Sequence, residues 1–350
     1  MREAMQYFHS AESSKLPRQA RSVTLKLAVA AAALMCGTNN ATAQSATPYP
    51  NQPIRVIVAF GAGSATDITF RRLEPFMSRA LGQQLIIDNR AGAVGMIGAE
   101  AVKRARPDGY TLLYTAASHS IQAALRPKSL PFDAVRDFTP IGRAFTTSGL
   151  IAVNPSVPVH NLKELIEYSR NQPKGLSFAA GGFGSSHHFQ GEALRARGAN
   201  LVLVPYAKIA QGISDVIGGH VPMIIYSTDA LTPHIRASRL RAVAVNSEKR
   251  QKELPDVPTI LEQGYKGTGS GSWSGLLGPA GLPVPIRNRL YSALEGAVND
   301  PQTVKTSTAS GLEEGLMPPD EFRSFMESDI AMWADVVRQA KLPLDQAPTD

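Results

Sequence analysis

Cysteine is almost absent from this sequence, with one residue, Cys36, in a chain of 350. A single cysteine excludes a disulfide framework and any metal site built from several thiolates. Aromatic residues are few, at 7%, while 43% of the chain is hydrophobic and 19% is charged, which is a globular composition. At this length we expect about two domains, each large enough to bury a core.

Excess positive charge is scarce once the beginning of the chain is set aside. The formal net charge is +7, but residues 1–43 hold five basic and two acidic residues, which leaves a surplus of only four on the other 307. A surplus this small and scattered does not indicate nucleic-acid binding.

The beginning of the chain has the pattern of a secretory signal. Basic residues precede a short apolar segment at 27–36, and Ala41-Thr42-Ala43 follows it. The apolar segment is about half as long as a membrane span requires, and a short anchor or a buried helix is the alternative. We expect export, cleavage after Ala43 and a mature chain that starts at Gln44 and lacks cysteine, as suits an oxidising compartment.

Short apolar, β-branched segments alternate with amphipathic helical patterns along the mature chain. Strands are predicted at 54–60, 85–88, 110–115, 150–153, 176–180, 201–204, 223–226, 240–245 and 274–277, and helices at 66–80, 96–105, 161–170, 186–197, 209–217, 285–298 and 319–340. This order predicts parallel strands joined by right-handed crossovers.

The elements fall into two series, which predict two α/β lobes. Lobe 1 comprises residues 44–147 and 268–350, because the C-terminal segment is too small to be a domain alone, and lobe 2 comprises 148–267. In such folds ligands bind beyond the carboxyl ends of parallel strands. Two lobes can present these ends to each other across a cleft.

Two glycine-rich loops follow predicted strands and precede helices. The first runs from Gly61 to Asp67 and lacks the lysine of a phosphate-binding loop. The other, at 180–188, contains Gly184 and Ser185, and we call it the third loop because a polar loop at Thr115–Ser120 lies between the two in the sequence. Small residues let backbone N–H groups approach a ligand, and a helix start favours an anion. An ordinary tight turn is the alternative for the first loop.

The second and fourth loops offer polar side chains. Thr115–Ser120 combines hydroxyls with His119, a set that suits a carboxylate, and a surface or capping histidine is the alternative. Tyr206 ends one strand, where it either lines the cleft or packs as a buried tyrosine. His187 and His188 are adjacent, so on a helix they point about 100° apart and do not indicate a shared metal ion. At Gly271–Gly275 tryptophan occupies the place of a nucleophilic serine, so no hydrolase motif is present there.

A series of short motifs extends over residues 48–340. They include Gly63-Ser64-Ala65-Thr66-Asp67, Asn89-Arg90-Ala91-Gly92, Pro107-Asp108-Gly109-Tyr110, Val204-Pro205-Tyr206 and Leu254-Pro255-Asp256-Val257-Pro258-Thr259. Each is weak alone. In this order and spacing they resemble the substrate-binding proteins of tripartite tricarboxylate transporters, the Bug-type periplasmic receptors.

The resemblance implies a type II-like, two-lobe periplasmic-binding-protein fold, with two parallel or mixed sheets flanked by helices around a hinged cleft. It implies a monomeric periplasmic receptor, not an enzyme, that uses no cofactor or metal and binds no nucleic acid. Its ligand would be a small organic acid, delivered to integral membrane subunits of a tripartite transporter. The alternative is a receptor of the same fold that presents its ligand to a signalling partner such as a sensor kinase.

The resemblance also implies a set of ligand contacts, carried over by position. They are Gly61, Ala62, Gly63, Ser64, Thr66, Asp67, Thr115, Ala116, Ser118, His119, Gly184, Ser185, His188, Tyr206, Ser227, Thr228 and Asp229. The chain departs from the family pattern near this set, since the first loop lacks the usual Pro-Gly-Gly and Asp229 replaces a common proline.

The first and third loops contain no arginine or lysine, so we expect neutral donors to hold the carboxylate. Asp229, if it faces the cleft, would repel a second carboxylate and favour a ligand with one carboxylate and a polar, aromatic or cationic remainder. The alternative is that Asp229 only caps the helix that follows Ser227 and Thr228.

Overall fold

Residues 49–206, 208–247, 249–265, 271–310 and 312–345 are described by the computed structural model of the chain. The predicted signal segment and its cleavage site lie outside these residues. Within them, eleven strands form two sheets, and ten α-helices flank the sheets.

The first sheet has the order β11-β4-β10-β3-β1-β2. Its strands are β1 (Ile54–Val58), β2 (Leu85–Asn89), β3 (Thr111–Ala116), β4 (Phe138–Thr147), β10 (Ser272–Pro279) and β11 (Leu312–Met317). Strand β1 pairs in parallel with β2 and β3, whereas β10 is antiparallel to β3 and β4, and β11 is antiparallel to β4.

The second sheet has the order β7-β6-β8-β5-β9. Its strands are β5 (Gly149–Val153), β6 (Leu176–Ala180), β7 (Leu201–Pro205), β8 (Met223–Ser227) and β9 (Arg241–Asn246). Strand β6 is parallel to β7 and β8, and β5 is antiparallel to β8 and β9. Both sheets are therefore mixed, and the prediction of a two-lobe α/β fold is confirmed.

The helices are α1 (Ala65–Leu81), α2 (Met96–Lys103), α3 (Ser118–Leu125), α4 (Leu162–Arg170), α5 (Ser186–Arg195), α6 (Ile209–Ile217), α7 (Thr228–Arg236), α8 (Val284–Val298), α9 (Pro301–Ala309) and α10 (Pro319–Gln339). None of the helices in the described part of the chain is both long and apolar enough to cross a bilayer.

The predicted helices begin and end within two residues of their expected bounds. Helix α1 begins at Ala65, one residue before the predicted start, because the Ser64 hydroxyl accepts a hydrogen bond from the Asp67 N–H at 3.2 Å and so caps the helix. It ends at Gly82, whose φ of 71° is the left-handed conformation that glycine adopts readily.

Five elements were missing from the predicted strands and helices: the helices α3, α7 and α9, and the neighbouring strands β4 and β11. Pro233 lies inside α7, and α9 is rich in serine and threonine, so neither segment has a strong helical pattern. Helix α9 nevertheless has a recognisable start, since Asp300 caps it and Pro301 follows at the first helical position.

Strand β1 shows how the first lobe is built. Val56 and Val58 pack with α1 and α8 on one face of the sheet, whereas Ile57 packs with α2 and α10 on the other. Successive side chains of a strand point to opposite faces, so a stretch buried on both faces, such as Val56–Val58, is apolar, whereas Arg55 near the start of β1 is exposed.

Among the described residues, contacts between the lobes include a pair of aromatic rings and a polar cluster. Phe189 of α5 packs edge-on against Trp333 of α10 with ring centroids 5.5 Å apart, and both side chains are fully buried. At the crossover from β4 to β5, the Ser148 hydroxyl and the Gln251 amide both donate to the carboxylate of Glu313. These two contacts fix how α5 and β5 lie against the first lobe.

Candidate functional site

Four helices begin at one cavity of about 210 Å³ between the sheets. Helices α1 and α3 follow β1 and β3 of the first sheet, and α5 and α7 follow β6 and β8 of the second. The cavity is lined by Phe60, Ala65, Thr66, Thr69, Arg72, Val94, Ala116, Ser118, Thr147, Ser185, Ser186, His187, Tyr226, Ser227, Asp229, Ser272, Ser310 and Leu312. It thus lies at the carboxyl ends of strands from both lobes, and we call it the cleft.

The helix starts direct N–H groups at the cleft. The first N–H groups of an α-helix have no acceptor within the helix. In α1 the Ser64 hydroxyl accepts the N–H of Asp67, and this leaves those of Ala65 and Thr66 for another acceptor. In α5 the Ser185 hydroxyl likewise accepts the N–H of His188 at 3.2 Å. Neutral donors and helix dipoles of this kind bind anions, carboxylates among them.

The buried carboxylate of Asp67 holds the first loop in place through hydrogen bonds. Its carboxylate accepts hydrogen bonds from the Gly63 N–H at 2.8 Å, the Arg71 guanidinium at 2.8 Å and the Asn89 amide at 2.9 Å, and the residue is 1% exposed. Burial alone would raise the pKa of Asp67, but these three bonds hold it below its ordinary value. The Gly63 N–H, which the sequence offered to the ligand, is directed at Asp67 instead.

His188 holds the third loop in a similar way. Its Nδ1 accepts the Gly184 N–H at 3.1 Å, and its Nε2 lies 3.3 Å from the Glu192 carboxylate, which also pairs with Arg195 at 2.7 Å. Gly184 has a φ of 84°, and a Cβ there would lie 2.7 Å from the Gln122 amide. The loop before α5 is therefore held in one conformation by a buried chain of polar contacts.

Three further predicted contacts have partners away from the cleft. The His119 Nε2–H donates to the Ala134 carbonyl oxygen at 2.9 Å, the ring stacks on Phe132, and burial lowers the pKa of His119 to about 4. The Tyr206 hydroxyl donates to Asp215 at 2.6 Å, a bond that raises the tyrosine pKa to about 12. Thr228 donates to the Ser148 carbonyl at 3.0 Å.

The predicted set thus divides by position. Thr66, Ala116, Ser118, Ser185, Ser227 and Asp229 line the cleft. The remaining members are absent from its lining among the residues that the structure describes: Gly61, Ala62, Gly63, Ser64, Asp67, Thr115, His119, Gly184, His188, Tyr206 and Thr228. A role in ligand binding stays a prediction for both groups.

Asp229 faces the cleft. It is the second residue of α7, it is exposed, and the cap position is occupied by Ser227. The open question of its orientation is therefore answered in favour of the cleft rather than of a helix cap.

Sequence reasoning missed Arg72, which lines the cleft with Thr66 and Thr69. These three residues are spaced at intervals of three along α1, so they lie on one helix face, and that spacing is the signal that would have found the arginine. Ser310 also lines the cleft and accepts a hydrogen bond from Arg72 at 2.7 Å.

Two rings that pack against each other at a tilt of 39° form part of the second-sheet wall. His187 and Tyr226 have ring centroids 4.4 Å apart. Burial lowers the pKa of His187 to about 4, so the imidazole is neutral at pH 7. Burial and the neighbouring Asp229 raise the pKa of Tyr226, which therefore keeps its proton. Among the described residues, no group of three or more His, Cys, Asp or Glu side chains is arranged to hold a metal ion.

Comparison with known proteins gives one consistent family. A family model described as "Tripartite tricarboxylate transporter family receptor" matches residues 69–342. Protein BugT of Bordetella pertussis is 32% identical over 297 residues, which are 84% of this chain and 91% of BugT.

Solved structures of two similar proteins match the fold over most of this chain. An R. palustris protein solved with adipate is 28% identical with a TM-score of 0.73, over 84% of this chain and 98% of that one. MatC from Rhodopseudomonas palustris, solved with bound malate, is 28% identical with a TM-score of 0.71, over 83% of this chain and all of MatC.

Proposed function

The chain belongs to the tripartite tricarboxylate transporter receptor family, and from this we propose that it binds a small organic acid in the cleft and delivers it to membrane subunits of a tripartite transporter. The observation that carries the proposal is the convergence of α1, α3, α5 and α7 on one cavity. Relatives of the same fold that were solved with adipate and malate support a carboxylate ligand.

The ligand carboxylate lies against the first turns of α1 and α5 in this proposal. There it accepts the N–H groups that the caps Ser64 and Ser185 leave unused. Hydroxyls of Thr66 and Ser118 add neutral donors around it. At about 210 Å³ the cleft suits a compact acid rather than a drug-sized ligand.

The two lobes close on the acid by rotation about the crossover at Ser148. Residues 44–147 with 268–350 move as one lobe and 148–267 as the other. The buried contact between Phe189 and Trp333, which joins the lobes outside the described lining of the cleft, acts as the pivot. Closure places α5 and α7 on the acid already held by α1.

The receptor is a monomeric, non-enzymatic protein of the periplasm, exported with cleavage after Ala43. A receptor that serves a sensor kinase would have the same cleft, so the genes beside this one distinguish the two roles. Genes for transporter membrane subunits support delivery to a transporter, and a kinase gene in their place supports signalling.

A thermal-shift screen tests the ligand class. Mono-, di- and tricarboxylates are added to the mature protein, and an acid at 100 times its dissociation constant is expected to add about 2.7 kcal/mol to the free energy of unfolding. The absence of stabilisation by every carboxylate, with amines or sugars stabilising instead, would contradict the proposal.

A proline variant locates the carboxylate. Ala65 is the first residue of α1, a position where proline is well tolerated and removes only an N–H that has no helical acceptor. Ala65→Pro should weaken binding of the acid found in the screen by about 10-fold or more, since a hydrogen bond to a charged group contributes about 1.5–3 kcal/mol. Ala65→Ser keeps the N–H and is the matched control, expected to bind within about 3-fold of the native protein.

A further inference from the structure

Two charged side chains line the cleft from opposite lobes. Arg72 extends from α1 on the first sheet, and Asp229 extends from the start of α7 on the second. Neither takes part in an ion pair with another of the residues described here, although the surface of the protein has many such pairs. Arg72 is partly buried, and its position needs an explanation because an unpaired charge away from bulk water is costly, whereas Asp229 is exposed.

Arg72 has an unused donor. One terminal nitrogen donates to the Ser310 hydroxyl at 2.7 Å, and Ser310 in turn donates to the Thr306 carbonyl at 2.9 Å. The other terminal nitrogen, Nη1, is shielded from solvent and has no hydrogen-bond partner. Guanidinium groups bind carboxylates with two parallel N–H donors, so a carboxylate that enters the cleft and reaches this nitrogen would supply the acceptor that it lacks.

Arg72 also lies on the same side of the cleft as the start of α1. Thr66, Thr69 and Arg72 share one helix face, and helical side chains lean toward the N-terminus of their helix. The guanidinium charge therefore adds to the helix-start N–H groups of Ala65 and Thr66, and Arg72 gives the first-lobe wall a cationic side chain.

The opposite wall carries an anionic side chain. Asp229 is exposed to the cleft in the first turn of α7, and the two rings beside it supply no cationic partner, because His187 is uncharged at pH 7 and Tyr226 keeps its proton. A ligand that spans the cleft therefore meets positive charge at one end and negative charge at the other.

We propose that the ligand is a zwitterion, whose carboxylate is bound by Arg72 and the start of α1 and whose cationic amine group is bound by Asp229. The inference rests on the proposed function, since it names the class of acid that the same cleft binds. A dicarboxylate placed in this way would set its second carboxylate against Asp229, and a simple monocarboxylate would leave Asp229 without a partner.

Calorimetry with three matched probe series tests this assignment. The probes are ω-amino acids from glycine to 6-aminohexanoate, with the unsubstituted monocarboxylates and the α,ω-dicarboxylates of the same chain lengths. The tightest ω-amino acid should bind at least about 10-fold more tightly than its monocarboxylate and dicarboxylate counterparts. A dicarboxylate that binds more tightly than every ω-amino acid would overturn the inference.

Two variants identify the groups responsible. Asp229→Asn keeps the size of the side chain and should weaken the ω-amino acid by at least about 10-fold and remove its advantage over the dicarboxylate. Arg72→Gln should weaken all three series. Arg72→Lys, which keeps the charge but not the paired donors, should lie between Arg72→Gln and the native protein. An Asp229→Asn protein that keeps the native order of the three series would show that the aspartate does not select the ligand.

The possible outcomes distinguish the zwitterion inference from the proposed organic-acid receptor function on which it rests. Carboxylates that bind without preference for an amine group contradict the zwitterion and leave the organic-acid receptor intact. Failure of all three series, together with failure of the wider carboxylate screen, contradicts both.

Discussion

Replacing Asp67 by asparagine should lower the free energy of unfolding by about 2–4 kcal/mol. The Asp67 carboxylate is 1% exposed and receives hydrogen bonds from Gly63, Arg71 and Asn89 at 2.8, 2.8 and 2.9 Å. A hydrogen bond to a charged group contributes about 1.5–3 kcal/mol, and asparagine keeps only one acceptor oxygen, so one or two of the three bonds are lost. The part due to Arg71 is small, because that side chain is half exposed.

Urea unfolding at pH 7 measures the change, and Asp320→Asn provides the control. Asp320 also pairs with an arginine, Arg287, at 3.1 Å, but its side chain is 85% exposed. The control should therefore change stability by at most about 0.5 kcal/mol. A loss at Asp67 below about 1 kcal/mol, or one equal to that of the control, would refute a structural role for the buried carboxylate.

The same variant has a pH signature. The pKa of Asp67 is lowered by folding, so its contribution to stability is fully present above the pKa of an unfolded aspartate and disappears as the pH falls through the native pKa. The native protein should therefore lose stability in acid more steeply than Asp67→Asn does, and parallel curves would contradict this.

Three further predictions concern other parts of the molecule. The pKa of His119 is about 4 in the folded protein and 6.5 in the unfolded chain, so the free energy of unfolding should fall as the pH is lowered from 6.5 to 4. His119→Gln should make that decline shallower. An unchanged slope in urea unfolding would be inconsistent with a buried neutral imidazole. Phe189→Ala should cost about 3–5 kcal/mol, since the ring is fully buried against Trp333, and a cost under 1 kcal/mol would show that the lobes do not depend on this contact. Mass spectrometry of the exported protein should find Gln44 as its first residue, and retention of residues 27–36 would argue against the signal.

Local signals made much of the fold predictable from the sequence. Leu176–Ala180 is apolar, short and bounded by glycines, and it forms β6 with the predicted ends. Asn161 and Glu164 predicted the start of α4, where the Asn161 side chain accepts the Glu164 N–H at 2.9 Å. Such signals lie within a few residues of the element that they define, so they can be read without knowledge of the rest of the chain.

The site was less predictable because its contacts join distant parts of the chain. Asp67 stabilises the first loop, and this role depends partly on Asn89 of β2, which donates a hydrogen bond to its carboxylate. The His119 ring packs against Phe132 and Phe138, and the sequence does not show that these residues lie beside it. Arg72 meets Ser310, 238 positions along the chain, and the loops that follow strands contain neither residue.

A crystal structure of the protein with the acid selected by the screen would show where the carboxylate binds. We expect density for the carboxylate in the cleft, with its oxygens about 2.7–3.2 Å from the backbone nitrogens of Ala65 and Thr66. Density for the acid in the outer cavity of about 640 Å³ between α2, α3 and α10, with the cleft holding none, would contradict it.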